Sequence, residues 1–113
     1  MGYYSEVAFA CSKEDYLILD KELKDKGFDL FERTSDLGDF EVEGKPWIWL
    51  RWNYLKWYPN YGDIQILVKY MKNFNNKYQF MRLGEDPEDE PEVINTTDDE
   101  DWFSIYRTIE VNV

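Results

Sequence analysis

Apolar and polar positions alternate at the start of the chain. Val7 and Phe9 fall on one side of residues 4–10 and Glu6 and Ala8 on the other, which predicts a first strand. The period then lengthens. Ser12 is placed to cap a helix, with Asp15 three residues on as a weaker capping box. Tyr16, Leu19 and Leu23 recur at helical spacing, and Leu17 and Ile18 widen that face. Lys24 and Lys26 suit a last turn, where the helix dipole favours cations. Gly27 follows as the left-handed residue past the helix end, with Phe28 folding back on Leu23.

Residues 28–33 and 39–43 are short strand candidates around Ser35-Asp36-Leu37-Gly38, and one or both supply the second strand. Gly44-Lys45-Pro46 turns the chain into its strongest strand, residues 47–57. Ile48, Leu50, Trp52 and Tyr54 share one face there; Trp47, Trp49, Arg51 and Asn53 share the other. Pro59-Asn60-Tyr61-Gly62 ends it. Asp63 is placed to cap a second helix with a stripe of Ile64, Leu67, Val68 and Met71, stopped by residues 73–76. Residues 78–83 read as a fourth strand. A last strand is expected over 103–113, where Phe103, Ile105, Ile109, Val111 and Val113 alternate with an interruption at Arg107.

Two helices with single apolar stripes suit one face of one sheet. Right-handed crossovers then favour a split βαβ arrangement. The expected fold is α+β: two helices packed on one face of a four- to five-stranded, mostly antiparallel sheet, ferredoxin-like, with an added C-terminal strand. Residues 1–113 form a single domain, with an acidic loop at 85–101.

Composition adds 21 aromatic rings, each able to bury ~150–250 Å². There is no histidine, which removes the commonest general base and transition-metal ligand. The single Cys11 excludes an intramolecular disulfide and any zinc site built on cysteines. A reactive thiolate needs a strongly basic neighbour, and Lys13 alone is near in sequence, so an inert buried thiol is expected. No run approaches the ~20 apolar residues of a membrane span, and no signal-peptide core opens the chain. Met1-Gly2-Tyr3-Tyr4-Ser5-Glu6 places its hydroxyl one position early for myristoylation. The sequon Asn95-Thr96-Thr97 lacks a secretory context. A cytoplasmic protein without cofactor or membrane partner is expected.

Charge changes the picture most. Of 24 acidic residues, ten lie within residues 85–101: Glu85, Asp86, Glu88, Asp89, Glu90, Glu92, Asp98, Asp99, Glu100 and Asp101. That stretch holds no Lys or Arg, which leaves 14 acids against 13 bases elsewhere. The tract lacks the spacing of a calcium-binding loop, and Pro87 and Pro91 stiffen it against wrapping an ion. Clustered carboxylates can instead mimic nucleic-acid phosphates, whose duplex carries a charge every ~1.7 Å of axis. A solvated loop that keeps an aromatic chain from aggregating is the plainer alternative. Val93 and Ile94 are the only apolar residues in the middle of the tract. Replacing residues 88–99 with a Gly/Ser linker is therefore expected to change stability by less than ~1 kcal/mol.

If the helices cover Ile48, Leu50 and Trp52, Trp47 and Trp49 lie on an open sheet face and become candidate contact residues. Arg33, the acidic loop or a second copy of the chain are the alternatives that cover them. Open-sheet aromatics are a feature of RNA-recognition modules, but the basic-aromatic signature of such modules is absent and a net charge of −11 repels phosphates. No direct nucleic-acid binding is expected. Adjacent acids such as Asp98 and Asp99 are solvated rather than tuned, and Gly27, Gly38, Gly44, Gly62 and Gly84 are isolated turn residues, so no catalytic constellation emerges.

Met1-Gly2-Tyr3-Tyr4-Ser5-Glu6-Val7-Ala8, followed by Ser12-Lys13-Glu14-Asp15, resembles small acidic proteins of phages and prophages of Gram-positive bacteria. Leu55-Lys56-Trp57-Tyr58 and Arg82-Leu83-Gly84-Glu85-Asp86 are similar in the same way. The resemblance implies a viral accessory protein in the host cytoplasm and carries over no catalytic residue. With the acidic tract, it leads to the expectation of a non-enzymatic inhibitor. Its partner would be a host protein with a basic surface: a nucleic-acid enzyme, or a defence system such as CRISPR. The alternative is an assembly protein that forms a homodimer through the aromatic strand.

Overall fold

The five side chains from Val7 to Cys11 are fully buried. A strand with both faces buried belongs at the centre of a sheet covered on both sides. β1 (Ser5–Ser12) takes that place. The computed structural model describes residues 4–73, 75–85, 90–105 and 109–113. Its main sheet also contains β2 (Asp36–Val42), β3 (Lys45–Leu55), β4 (Tyr78–Gly84) and β5 (Glu92–Asn95). The order is β2-β3-β1-β4-β5 and every pairing is antiparallel. The first four strands with α1 (Lys13–Asp25) and α2 (Gly62–Met71) form the expected ferredoxin-like split βαβ arrangement.

Local chemistry sets the helix ends. The Ser12 hydroxyl accepts the Asp15 N–H at 3.2 Å, the N-cap bond read from sequence. At the other end Gly27 has φ +80°, the Phe28 N–H donates to Leu23 O at 2.8 Å and the Gly27 N–H to Lys24 O at 3.0 Å. That is the Schellman pattern, and it places Phe28 against the second helix. A Cβ on Gly62 would lie 2.5 Å from the Phe28 ring, so any larger residue there would have to displace that ring. Asp63 is not the cap of α2. It sits inside the first turn, where its carboxylate accepts the Ile64 N–H and an Arg33 N–H.

The helix layer buries Val7, Phe9 and Cys11 of β1, Ile48, Leu50 and Trp52 of β3, and Tyr78 and Phe80 of β4. They pack with Leu19 and Leu23 of α1 and with Ile64, Ile66 and Leu67 of α2. Leu17 and Ile18 do not widen this face. They are 57% and 61% exposed, because 100° per residue carries them off the stripe of Leu19 and Leu23. Residues 28–33 give no strand: Leu30–Arg33 is a 3-10 turn. Leu30 and Phe31 are both buried, which alternation forbids on one sheet face and a tight turn permits. Tyr54 is also displaced. Between Val7↔Trp52 and Ser5↔Leu55 the register shifts by one residue, a bulge in β3. Leu55 turns inward in its stead and Tyr54 is 81% exposed.

The last segment is not a single strand added to the sheet. β6 (Phe103–Ile105) and β7 (Ile109–Val111) pair with each other as a separate hairpin, while Arg107 lies outside the described residues. The strand that extends the sheet is β5, from within the acidic tract. The hairpin covers the second sheet face, where Phe103 and Ile109 pack on Ala8, Ala10 and Met81. The small alanines leave room for this third layer. Its backbone is tied down as well: the Ile109 N–H donates to Glu6 Oε2, and an Arg51 N–H donates to Ile109 O at 3.5 Å. The same Arg51 forks onto both Asp36 carboxylate oxygens at 2.9 and 3.1 Å.

The face bearing Trp47 and Trp49 is therefore not open. Trp47 is buried and Trp49 half-buried, covered by the protein's own hairpin, Trp102 and Phe40. The Trp49 indole lies flush against β2, where a Cβ on Gly38 would fall 2.6 Å from its Nε1.

Candidate functional site

The acidic tract is built into the fold over much of its length. β5 pairs with β4 from Gln79↔Asn95 to Arg82↔Glu92. Beyond β5 the chain is wound onto two amides. Gln79, which is 2% exposed, donates to Thr97 Oγ1 at 2.9 Å and Glu100 O at 3.0 Å, and accepts the Trp102 N–H at 2.8 Å. Asn95 donates to Asp99 O at 3.0 Å and Asp101 Oδ1 at 2.9 Å, and accepts the Thr97 N–H at 2.9 Å. Thr96 completes the ladder: its N–H reaches Tyr78 O at 3.0 Å and its hydroxyl accepts the Tyr78 N–H at 2.8 Å. A buried amide with all its partners met fixes the backbone around it. The carboxylates of Asp98, Asp99, Glu100 and Asp101 are thereby mounted on a rigid turn and left exposed.

The described acids of the tract, expected as one acidic loop, stand toward two ends of the sheet. Asp98 to Asp101 stand at the end where Cys11 pairs with Tyr78. Glu85 stands at the opposite end, beyond Gly84 and Ser5, and accepts the Tyr4 N–H at 3.2 Å. Glu90 is exposed before β5, and Glu92 lies between the two clusters, paired with Arg82 at 3.6 Å. Among the described residues, Glu92 is the one acid of the tract in an ion pair. Asp86, Glu88 and Asp89 lie outside the described residues.

Sequence reasoning missed what joins Asp98–Asp101. The β2–β3 turn carries Glu43 and Gly44 at φ 52° and 78°, the backbone of a two-residue hairpin of the I′ kind. With Asp99 and Trp102 this turn borders an open groove of about 350 Å³, although alternation on β2 turns the Glu41 side chain to the helix face with Asp39, which pairs with Lys13 of α1. Phe40, Val42 and Trp102 line the apolar part of the groove. Trp102 meets Phe40 and Trp47 nearly at right angles, with ring centroids 5.0 and 5.3 Å away. Trp47, expected as a surface contact, instead supports Trp102 from beneath. A tryptophan at the very end of the acidic run was the available signal.

A second concavity, about 300 Å³, lies between α1 and α2 beside Asp15, Glu22, Lys69 and Tyr70. Two of its polar groups engage each other: the Tyr70 hydroxyl donates to Asp15 Oδ2 at 2.5 Å. Burial first, and this bond second, push the Tyr70 phenol above its ordinary value, so it stays a donor. Among the described residues no group of three Cys, Asp and Glu side chains is placed to hold a metal ion, and no helix is long and apolar enough to cross a membrane.

Burial pushes the Cys11 thiol up, and Asp15 adds to the effect. Two results are expected. A thiol reagent should modify native Cys11 only at the rate of unfolding. The folded value lies above the unfolded one, so the thiol's contribution is complete below ~pH 8.5 and is lost above it at up to ~1.4 kcal/mol per unit. Urea unfolding of wild type and Cys11→Ala across pH 8 to 10 checks this; parallel curves would refute it.

No family model matches the chain, and no curated protein or solved structure is similar to it.

Proposed function

We propose that this is a phage accessory protein that acts by binding a host protein with a basic surface. In this reading it inhibits a nucleic-acid enzyme or a defence system such as CRISPR, and its carboxylates stand where phosphates would. One observation carries the proposal: Asp98, Asp99, Glu100 and Asp101 are exposed, free of basic partners among the described residues, and fixed by the bonds of Gln79 and Asn95. A pre-set charge array loses little conformational freedom on binding, and it steers encounter with a basic partner by ~10–10³-fold at low salt. The viral setting rests on the resemblance of the sequence. Self-assembly through Trp47 and Trp49 is less favoured, since the hairpin already occupies that face.

The test is capture from host lysate with the wild-type protein and with D98N/D99N/E100Q/D101N. A nuclease, polymerase or effector complex held only by the wild type is the expected result. Recovery of the chain alone would favour assembly. Association should slow steeply from 50 to 500 mM NaCl while dissociation changes little, because exposed charges are screened beyond ~8 Å at physiological ionic strength. A salt-insensitive association rate would remove the acidic turn from the mechanism.

A further inference from the structure

We propose that the outer side of α1 is a self-pairing surface, and that its occupant is the α1 of a second copy of this chain, laid antiparallel across it. Leu17 and Ile18 are 57% and 61% exposed on that side, opposite the buried Leu19 and Leu23. Glu14 and Lys21 stand on the same side, exposed, one turn before and one turn after the apolar pair. The four fall at i, i+3, i+4 and i+7, a single stripe along the helix. Neither Glu14 nor Lys21 forms an ion pair among the described residues, although Lys13 and Lys24 of the same helix both do. The positions from which a later residue of the helix could answer Glu14 are held by Leu17 and Ile18.

The order of the stripe chooses the partner. It reads acid, apolar, apolar, base, and its midpoint lies between Leu17 and Ile18. Turned end for end, the same stripe reads base, apolar, apolar, acid. A second copy crossing antiparallel therefore sets each Glu14 against the other's Lys21, with the apolar side chains meeting near the twofold axis. Laid parallel, acid would face acid and base would face base, which is repulsive at both ends. The stripe is thus complementary to itself, and in one direction only. The outer side of α1 faces away from the sheet, so the contact leaves the hairpin layer and Trp102 outside it. The inference is independent of the basic-partner reading above. α1 has 13 residues, about 20 Å of helix. One such helix pair buries less than the ~1,200–2,000 Å² of a stable interface, so the dimer belongs in the upper micromolar range.

The experiment is sedimentation of the full chain from about 10 μM to about 1 mM in 150 mM NaCl, where the net charges of two copies are screened beyond ~8 Å. The average mass should rise with concentration toward that of two chains. E14K alone and K21E alone should each weaken the dimer by about tenfold, since either change sets two like-charged pairs face to face. An equimolar mixture of the two variants, and the double variant E14K/K21E, should each regain wild-type association within about threefold. L17S/I18S should abolish it. L37S, at an exposed leucine of β2, should leave it unchanged. All these side chains are exposed, and unfolding curves check that each variant folds. A chain that stays monomeric throughout would overturn the self-pairing and assign the face to a different protein. A dimer dissolved by L37S, or left intact by L17S/I18S, would place the contact elsewhere and overturn the proposal as well. Association that is unaltered by the single reversals, or is not regained in the mixture, would overturn the antiparallel arrangement.

Discussion

Trp52→Ala is expected to lower the unfolding free energy by ~3–5 kcal/mol, the usual cost of emptying a large core site that cannot collapse. Trp52 is fully buried between sheet and helices, beside Phe31, with ring centroids 6.2 Å apart. Its Nε1–H donates to Leu30 O at 2.9 Å, so truncation also leaves a buried carbonyl without its donor. Trp49→Ala, three residues earlier and on the other face, should cost ~1–2 kcal/mol, because its indole is only half-buried. Paired urea unfolding curves decide the matter. Losses of equal size would mean that the hairpin layer packs as tightly as the helix layer.

The acidic tract should matter to stability through its backbone and its amide contacts rather than its charges. Replacing residues 88–99 with a Gly/Ser linker is now expected to cost ~3–5 kcal/mol, against the negligible effect its composition suggests. The linker removes the β4–β5 ladder, Ile94 from the margin of the main core, and the Thr97 hydroxyl from buried Gln79. Neutralising Asp98, Asp99, Glu100 and Asp101 as amides keeps every one of those contacts. It should shift stability by no more than ~0.5 kcal/mol per site. A linker variant as stable as the wild type would show that β5 contributes nothing to the fold.

Local signals carried the sequence reading where they sufficed. Ser12 and Gly27 bracket α1 because capping is chemistry between near neighbours. The faces of β3 are legible through Trp52, since strand alternation needs only the strand itself. The bulge after Trp52 is not legible, because it is fixed by how β1 pairs across it. Nor does alternation tell which surface an alternating segment meets: Phe103 and Ile109 read equally well as a sheet strand or as a hairpin lying over one. The carboxylates of the candidate site were plain in the composition. Their mounting was not, since Gln79 bonds to Thr97 and Trp102, 18 and 23 residues away.

The strand at the centre of the sheet is the first one in the chain, and this governs how the protein folds. β1 gains its second neighbour only when Cys11 meets Tyr78 and Ser5 meets Gly84. Closing loops of that length makes the search slow compared with forming either helix. Meanwhile the uncharged stretch Val7-Ala8-Phe9-Ala10-Cys11 waits with unpaired edges, and another copy of the same stretch offers it an equivalent partner. Self-association then competes with folding, increasingly so at high concentration. The net charge of −11 acts at this stage too: unfolded copies repel one another before any native surface exists.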